Sequence, residues 1–197
     1  MTRVLAFSDV HLARNRIAEI VAAAAGADLV IGAGDFCNAR NGLDEAMHLL
    51  RPIEEKAVYV PGNAESADEL RAATNAAVLH GNALAVEGLR VFGIGYAIPT
   101  TPFGPWSCDL TEEQGAGLLA EMQAPTDILI SHSPPKGVAD TNTSGLSLGS
   151  TSVREAIESV QPRYCFCGHI HDCWGKTGRI GETQVHNLGP TANWFEL

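Results

Sequence analysis

The sequence predicts an α/β fold in which residues 1–197 form one domain. Short apolar runs of strand length alternate with segments whose apolar residues recur at helical spacing. The length of 197 residues suits a single domain. Apolar residues make up 45% of the chain and the mean hydropathy is +0.02, which is typical of a globular protein rather than a disordered one.

Strands are predicted wherever a short apolar run is bounded by turn residues. They cover 4–7, 28–31, 57–60, 83–86, 89–92, 128–130 and 164–166, and a closing hairpin covers 178–188. The fourth and fifth of these strands form a hairpin candidate around Glu87-Gly88. We expect each buried strand to alternate with a helix.

Helices are predicted from apolar stripes and from their end signals. The first covers 13–25 and stops at Gly26, and the second contains Leu43, Met47 and Leu50 and ends at Pro52. Three capping boxes of the form Ser/Thr-x-x-Glu/Gln begin further helices. These boxes are Ser66 to Glu69, Thr111 to Gln114 and Ser152 to Glu155.

Charge and cysteine content narrow the function classes. The chain has 13 Lys and Arg against 23 Asp and Glu, a net charge of −10, which disfavours nucleic acid as a partner. The five cysteines are an odd number, and the first residues lack a signal-peptide pattern, so a cytoplasmic protein is expected. No apolar run reaches the ~18 residues that cross a bilayer, so no membrane association is expected.

Potential metal ligands follow five of the predicted strands. They are Asp9, His11, Asp35, Asn63, His132, His169 and His171. Ligands gather at the carboxyl ends of strands in an α/β sheet, so we expect these side chains to meet. Mixed oxygen and nitrogen donors suit Mn²⁺, Fe or Zn²⁺ better than Ca²⁺ or Mg²⁺. Seven ligands exceed the needs of one ion but suit two ions if a carboxylate bridges them.

The order and placement of these residues resemble those of the calcineurin-like metallophosphoesterases. The resemblance is carried by Asp9-x-His11, Gly34-Asp35, Gly62-Asn63, His132 and Gly168-His169-x-His171. Two segments, 131–135 and 167–171, are most similar to the small predicted phosphodiesterases of that family.

The resemblance implies a β-sandwich of two mixed sheets flanked by helices, in four layers αββα, with a dinuclear metal site. One ion would be held by Asp9, His11, Asp35 and His171, and the other by Asp35, Asn63, His132 and His169, with Asp35 bridging. Mn²⁺ is favoured, with Fe, Ni²⁺ and Zn²⁺ as alternatives. A metal-bridging hydroxide would attack phosphorus, and Asp35, Asn63 and His132 would be the catalytic residues. The implied activity is hydrolysis of a small-molecule or nucleotide phosphodiester.

One position departs from the family pattern. The family has a histidine after the Gly-Asn pair, where it protonates the leaving oxygen, and this chain has Ala64. General acid assistance is worth about 10²–10⁴-fold, so we expect a preference for good leaving groups such as aryl esters. His80 and His186 are the spare candidates for the missing acid, along with a metal-bound water. The next residue, Glu65, is expected either to accept a hydrogen bond from a ligand histidine or to favour a helix N-terminus.

Two long segments, 98–108 and 134–150, are predicted to be irregular. Phe103 and Trp106 in the first are interpreted as an aromatic lip that contacts substrate, against the alternative of a loop anchored by aromatic burial. Cys37 is the one cysteine expected near the metals, whereas Cys165 and Cys167 are expected to pack as small apolar residues.

Three other functions compete with the phosphodiesterase hypothesis. The first is a non-catalytic binding scaffold of the same fold, favoured by Ala64 and disfavoured by the retained ligands. A nuclease is disfavoured by the acidic charge. A protein phosphatase is disfavoured because alkyl esters are poor leaving groups. The low charged fraction of 18% permits a homo-oligomer.

Overall fold

The computed structural model describes residues 1–197 and contains eleven strands, five α-helices and three short 3₁₀ segments. The strands are β1 (Arg3–Phe7), β2 (Leu29–Gly32), β3 (Ala57–Tyr59), β4 (Ala77–Val78), β5 (Asn82–Val86), β6 (Leu89–Ile94), β7 (Ile128–Ser131), β8 (Tyr164–Cys167), β9 (Thr177–Ile180), β10 (Thr183–Asn187) and β11 (Asn193–Glu196). The helices are α1 (Arg14–Ala23), α2 (Leu43–Leu50), α3 (Ala67–Ala73), α4 (Glu112–Leu119) and α5 (Thr151–Val160). The 3₁₀ segments are Ala24–Gly26, Arg51–Lys56 and His171–Cys173. No helix combines the length and apolar character that crossing a bilayer requires.

Two mixed sheets form the centre of the fold. The first has the order β11-β1-β2-β3-β4, in which β1 to β4 are parallel and β11 is antiparallel to β1. The second has the order β5-β6-β7-β8-β10-β9, with parallel β6, β7, β8 and β10 between two antiparallel edge strands. The expected pair of mixed sheets is therefore confirmed.

Side-chain alternation along the strands explains the layers. On β1, Leu5 and Phe7 face α1 and α2, whereas Val4 and Ala6 face the second sheet. One apolar cluster lies between the first sheet and its helices, a second lies between the two sheets, and a third joins the second sheet to α4 and α5. Because both faces of each sheet are covered, the fold has the expected four layers αββα. Cys165 and Cys167 are part of the third cluster, as predicted.

Several predicted helix ends are confirmed and one is wrong. Capping boxes are present at Ser66 before α3 and at Thr111 before α4. The box predicted at Ser152 does not exist, because α5 begins two residues earlier than predicted and Ser150 is its N-cap. The Ser150 hydroxyl accepts a hydrogen bond from the Val153 amide at 3.1 Å. The carboxylate of Glu112, far away in sequence, accepts from the first two amides of α5.

Two further differences concern the ends of the second helix and the weakest strands. The helix α2 ends at Leu50. Pro52 does not end the helical conformation, because a 3₁₀ segment continues from Arg51 to Lys56. The strands β4 and β11 were not predicted. Both are short and depend on pairing with β3 and β1.

Candidate metal centre

The predicted ligands lie at the carboxyl ends of parallel strands in both sheets. Asp9 follows β1, Asp35 follows β2 and Asn63 follows β3 in the first sheet. His132 follows β7 and His169 follows β8 in the second. Because the two sheets pack face to face, these strand ends meet at one edge of the sandwich.

Tight backbone geometry brings the ligands together. Four of them have left-handed φ angles, namely 52° at Asp9, 41° at His11, 57° at Asp35 and 65° at His169. Such conformations cost about 1–3 kcal/mol each in non-glycine residues and concentrate at functional sites.

The adjacent glycines act in two ways. Gly34 has a φ of 91°, as expected for a glycine that lets the chain turn. Gly62 and Gly168 do not have positive φ, so no left-handed turn requires glycine at these two positions. A Cβ at Gly62 would collide with the Asp35 carboxylate, and one at Gly168 would collide with that of Asp9. These two glycines are therefore required for close approach.

One ligand group consists of Asp9, His11, Asp35 and His171, whose ligand atoms all lie within 4.8 Å of one another. The His11 Nε2 atom lies 3.2 Å from the His171 Nε2 atom and 3.5 Å from Asp35 Oδ2. The His171 Nε2 atom lies 3.7 Å from Asp9 Oδ1. This group has the residue types and spacing of a cation site.

The second group lies on the other side of Asp35. The His132 Nε2 atom is 3.5 Å from Asp35 Oδ1 and 3.2 Å from Asn63 Oδ1. The His169 ring lies 5.0 Å from the His132 ring, centroid to centroid. Asp35 thus presents Oδ2 to the first group and Oδ1 to the second. The seven predicted ligands are all brought together.

Hydrogen bonds fix the tautomers of two of the histidines. The Nδ1–H of His132 donates to the Ala33 carbonyl at 2.8 Å, and the Nδ1–H of His11 donates to the Cys37 carbonyl at 3.0 Å. Each Nε2 atom is then left with a free lone pair directed into the site, which is how a histidine is prepared as a metal ligand. Lone pairs and carboxylates that converge without hydrogens between them fit divalent cations.

Burial and neighbouring charges shift the pKa values of two predicted ligands. Burial and the neighbouring His132 lower the pKa of His169 to about 3, so its ring is neutral near pH 7. Burial opposes ionisation of Asp35, but His132 and His11 outweigh it and hold the pKa of that carboxyl below its ordinary value. His169 is therefore neutral and Asp35 ionised, the forms in which these two side chains can bind a metal.

Glu65 has a role that differs from both sequence expectations. Its carboxylate contacts no ligand histidine and caps no helix. It accepts hydrogen bonds from the amides of Gly62 at 2.7 Å, Asp35 at 2.8 Å, Phe36 at 3.1 Å and Cys37 at 3.4 Å. The fully buried carboxylate therefore ties the Asp35 loop to the Asn63 loop. Burial and Asp35 raise the pKa of Glu65 to about 7.

Two further residues that the sequence did not indicate support the ligands. The Trp174 Nε1–H donates to Asp9 Oδ2 at 3.2 Å, and the same indole lies 4.3 Å from the His171 ring. The amide of Asn63 donates to the Ser107 hydroxyl at 3.0 Å. That bond fixes the amide orientation and leaves Asn63 Oδ1 facing His132.

Asn187 holds the segment that carries His169. Its amide nitrogen lies 3.1 Å from the Gly168 carbonyl and 3.3 Å from the Ile170 carbonyl, so it binds the backbone on both sides of that ligand. A side chain on β10 thereby positions a loop that follows β8. No local sequence signal distinguishes this asparagine from an ordinary turn residue.

The other predicted side chains divide into near and distant ones. Phe103 lines a cleft that also contains His169 and His171, whereas Trp106 stacks behind Phe103 at 5.6 Å. Cys37 is near the ligands, as expected, and its thiol donates to the Ala64 carbonyl at 3.1 Å.

The two spare histidines have other partners. His80 packs against Tyr96 and accepts from the Gly95 amide, and His186 packs against Phe166 and Phe195. Neither makes a hydrogen bond to a predicted ligand side chain. Neither His80 nor His186 therefore takes the place of the histidine that the family has at position 64.

The fold and the paired ligand groups define an α/β sandwich protein with a candidate metal centre at the strand ends. Comparison with known families identifies it further. The model of the calcineurin-like phosphoesterase family matches residues 2–173. The chain belongs to this family, as the strand-end motifs indicated.

Individual relatives agree with this assignment. Human metallophosphoesterase domain-containing protein 1 is 30% identical over 141 residues, which are 68% of this chain and 40% of the human protein. The chain thus spans less than half the length of that relative. The structure of TT1561 of Thermus thermophilus has a TM-score of 0.73 at 18% identity and covers 95% of this chain and 89% of its own. A dimetal phosphatase from Danio rerio has a TM-score of 0.65 at 12% identity, covering 97% and 90%. Both structures show a shared fold.

Proposed function

We propose that this chain is a phosphodiesterase that depends on two divalent metal ions, with residues 1–197 forming its single domain. The observation that carries the proposal is Asp35, whose two carboxylate oxygens face two separate ligand groups. A carboxylate in that position is suited to bridge a pair of ions. The membership of the phosphoesterase family supports the reaction class.

The residues fit such a metal pair. Asp9, His11, Asp35 and His171 would hold one ion, and Asn63, His132 and His169 would complete a second site with Asp35. The mixed carboxylate, amide and imidazole donors favour Mn²⁺ over Ca²⁺ or Mg²⁺. When bound, the ions supply Lewis acidity and lower the pKa of water toward about 7.

The chain contributes positioning and charge. The Asp35 carboxylate accepts a hydrogen bond from the Ala64 amide, and the Asp35 amide donates to Glu65. Asp35, held by these two bonds, sets the spacing of the two ligand groups. The Asn63 Oδ1 and His132 Nε2 atoms lie 3.2 Å apart and would hold the ion that binds a phosphoryl oxygen. Phe103 contacts the organic part of the substrate, and Trp106 supports Phe103 from behind.

No side chain replaces the usual proton donor at position 64. Ala64 is buried and has no side-chain proton donor, and its backbone amide donates to Asp35 Oδ1 at 2.8 Å. We therefore expect the leaving group of the substrate to depart as a stable anion such as a phenolate. The substrate class is a small-molecule or nucleotide diester. The five unpaired cysteines support a reducing compartment such as the cytoplasm.

Hydrolysis of bis-p-nitrophenyl phosphate tests the proposal. Protein stripped of metal and reloaded with Mn²⁺ should hydrolyse it, and Asp35→Asn should lose at least about 100-fold in kcat/KM, since a ligand shared by both groups is removed. Asp44→Asn, an exposed aspartate of α2, is the matched control and should keep the wild-type rate. Metal binding without turnover would contradict the proposed enzymatic activity and favour a non-catalytic binding scaffold.

A series of diesters with different leaving groups tests the role of Ala64. The rate should fall steeply as the pKa of the leaving alcohol rises, because its oxygen departs without a proton from the protein. A rate that does not depend on the leaving group would show that another proton donor exists.

A further inference from the structure

A cleft of about 300 Å³ adjoins the predicted metal ligands. Phe103 and Pro102 contribute one side of it from the loop 98–108, and Leu148 and Asn142 contribute another from the loop 134–150. His169 and His171 also line it. Any group in this cleft is therefore within reach of a phosphoryl group held at the ligands. The volume suits a single ring or a nucleobase rather than a macromolecule.

The cleft offers no cation to an anionic group. None of its eleven lining residues is Lys or Arg. Its one carboxylate, Asp172, accepts a hydrogen bond from the Thr143 amide at 2.8 Å and adds a negative charge at the rim. The whole chain also has a net charge of −10. A second phosphate or a carboxylate in the cleft would find no cationic side chain and would lie near the Asp172 carboxylate, which disfavours it.

The apolar lining of the cleft includes Phe103, which stacks on Trp106. Phe103 is 50% exposed and Leu148 is 42% exposed, so both present apolar surface to the cleft. Trp106 lies parallel to the Phe103 ring, with an interplanar angle of 6°. Stacking from behind holds the Phe103 ring as a platform for another ring.

We propose that this cleft binds an uncharged aromatic group of the phosphoester. The proposal rests on the proposed function, since it places that group next to a phosphoryl group at the metal centre. Simple aryl esters and nucleosides both offer such a ring. The cleft selects against substrates that carry a further anionic group, such as a nucleoside polyphosphate.

Three phosphonates that differ only in their organic group test the cleft without turnover. The affinity of the Mn²⁺-loaded protein for methylphosphonate, phenylphosphonate and 4-carboxyphenylphosphonate is measured by calorimetry. Phenylphosphonate should bind about ten-fold more tightly than methylphosphonate, as expected for burial of one ring, and the added carboxylate should remove most of that gain. Equal affinities for all three would overturn the proposal.

Matched variants assign the effect to the cleft. Leu148→Ala and Phe103→Ala should both reduce the ratio of phenyl to methyl affinity. Leu146→Ala is the control, because Leu146 is in the same loop and 60% exposed but does not line the cleft. A ratio that responds to Leu146→Ala and not to Leu148→Ala would refute the assignment.

Two more measurements complete the test. One distinguishes a nucleobase from a simple aryl ring, and the other distinguishes failure of the cleft proposal from failure of the proposed activity. Tighter binding of thymidine 5′-phosphate than of ribose 5-phosphate would identify a nucleobase as the ring, and equal binding alongside a phenyl preference would identify a simple aryl group. A phenyl preference without hydrolysis of bis-p-nitrophenyl phosphate would leave the cleft assignment standing and remove the proposed activity. Hydrolysis with no phenyl preference would leave the proposed activity standing and remove the cleft assignment.

Discussion

Replacement of Glu65 by Gln tests how the two metal-bearing loops are held together. The carboxylate accepts four backbone hydrogen bonds, two on each oxygen, from the loops that contain Asp35 and Asn63. A glutamine keeps one acceptor oxygen and places an NH₂ group against at least two amide donors. Each buried donor without an acceptor costs about 1–3 kcal/mol. The free energy of unfolding should therefore fall by about 2–6 kcal/mol, a large part of the ~5–15 kcal/mol typical of a domain.

The assay is urea unfolding at about pH 8, above the pKa of about 7 of Glu65, so that the carboxylate is ionised. Affinity for Mn²⁺ is measured in parallel and should fall, because both loops are released. Glu155→Gln makes the same change at an exposed position of α5 and should stay within about 0.5 kcal/mol of wild type. An equally small effect for Glu65→Gln, with unchanged metal affinity, would refute the role assigned to this residue.

Three other predictions follow from contacts around the site and the fold. Trp174→Phe keeps a ring but removes the N–H that binds Asp9, so Mn²⁺ affinity should fall about ten-fold in a calorimetric titration, and an unchanged affinity would contradict the role. Ser107→Ala frees the Asn63 amide to rotate and should weaken one of two Mn²⁺ sites by a similar factor, whereas equal loss at both sites would point to general disruption. Burial opposes ionisation of Glu112, but hydrogen bonds from the first amides of α5 outweigh it and hold the pKa of that carboxyl below its ordinary value. Glu112→Gln should therefore cost about 1 kcal/mol in urea unfolding above about pH 5, and the difference from wild type should vanish as pH falls through the lowered pKa.

Features with local causes were predictable from the sequence. The capping box at Ser66 and the hairpin around Glu87-Gly88 depend on residues within a few positions of each other, and both are present. The ligands were predictable because each lies within four residues of the end of a strand. Parallel strands then bring such residues to one edge whatever the rest of the chain does.

Features that depend on distant residues were not predictable. The N-cap of α5 is reinforced by Glu112, about forty positions earlier, so the local pattern at Ser152 was misleading. The strand β11 exists through pairing with β1, at the opposite end of the chain. Trp174 reaches Asp9 only because the second sheet folds against the first, and Asn187 reaches the segment around His169 because β10 pairs with β8. Supporting residues of a site are thus hidden from sequence patterns even where its ligands are evident.

The number of metal ions bound per chain tests the central claim most directly. Equilibrium dialysis of metal-free protein against Mn²⁺ should give two ions per wild-type chain, because Asp35 serves two ligand groups. Asp35→Asn should lower that number, whereas Asp44→Asn should leave it at two. A wild-type chain that binds one ion or none would contradict the two-metal account, and with it the phosphodiesterase proposed from it.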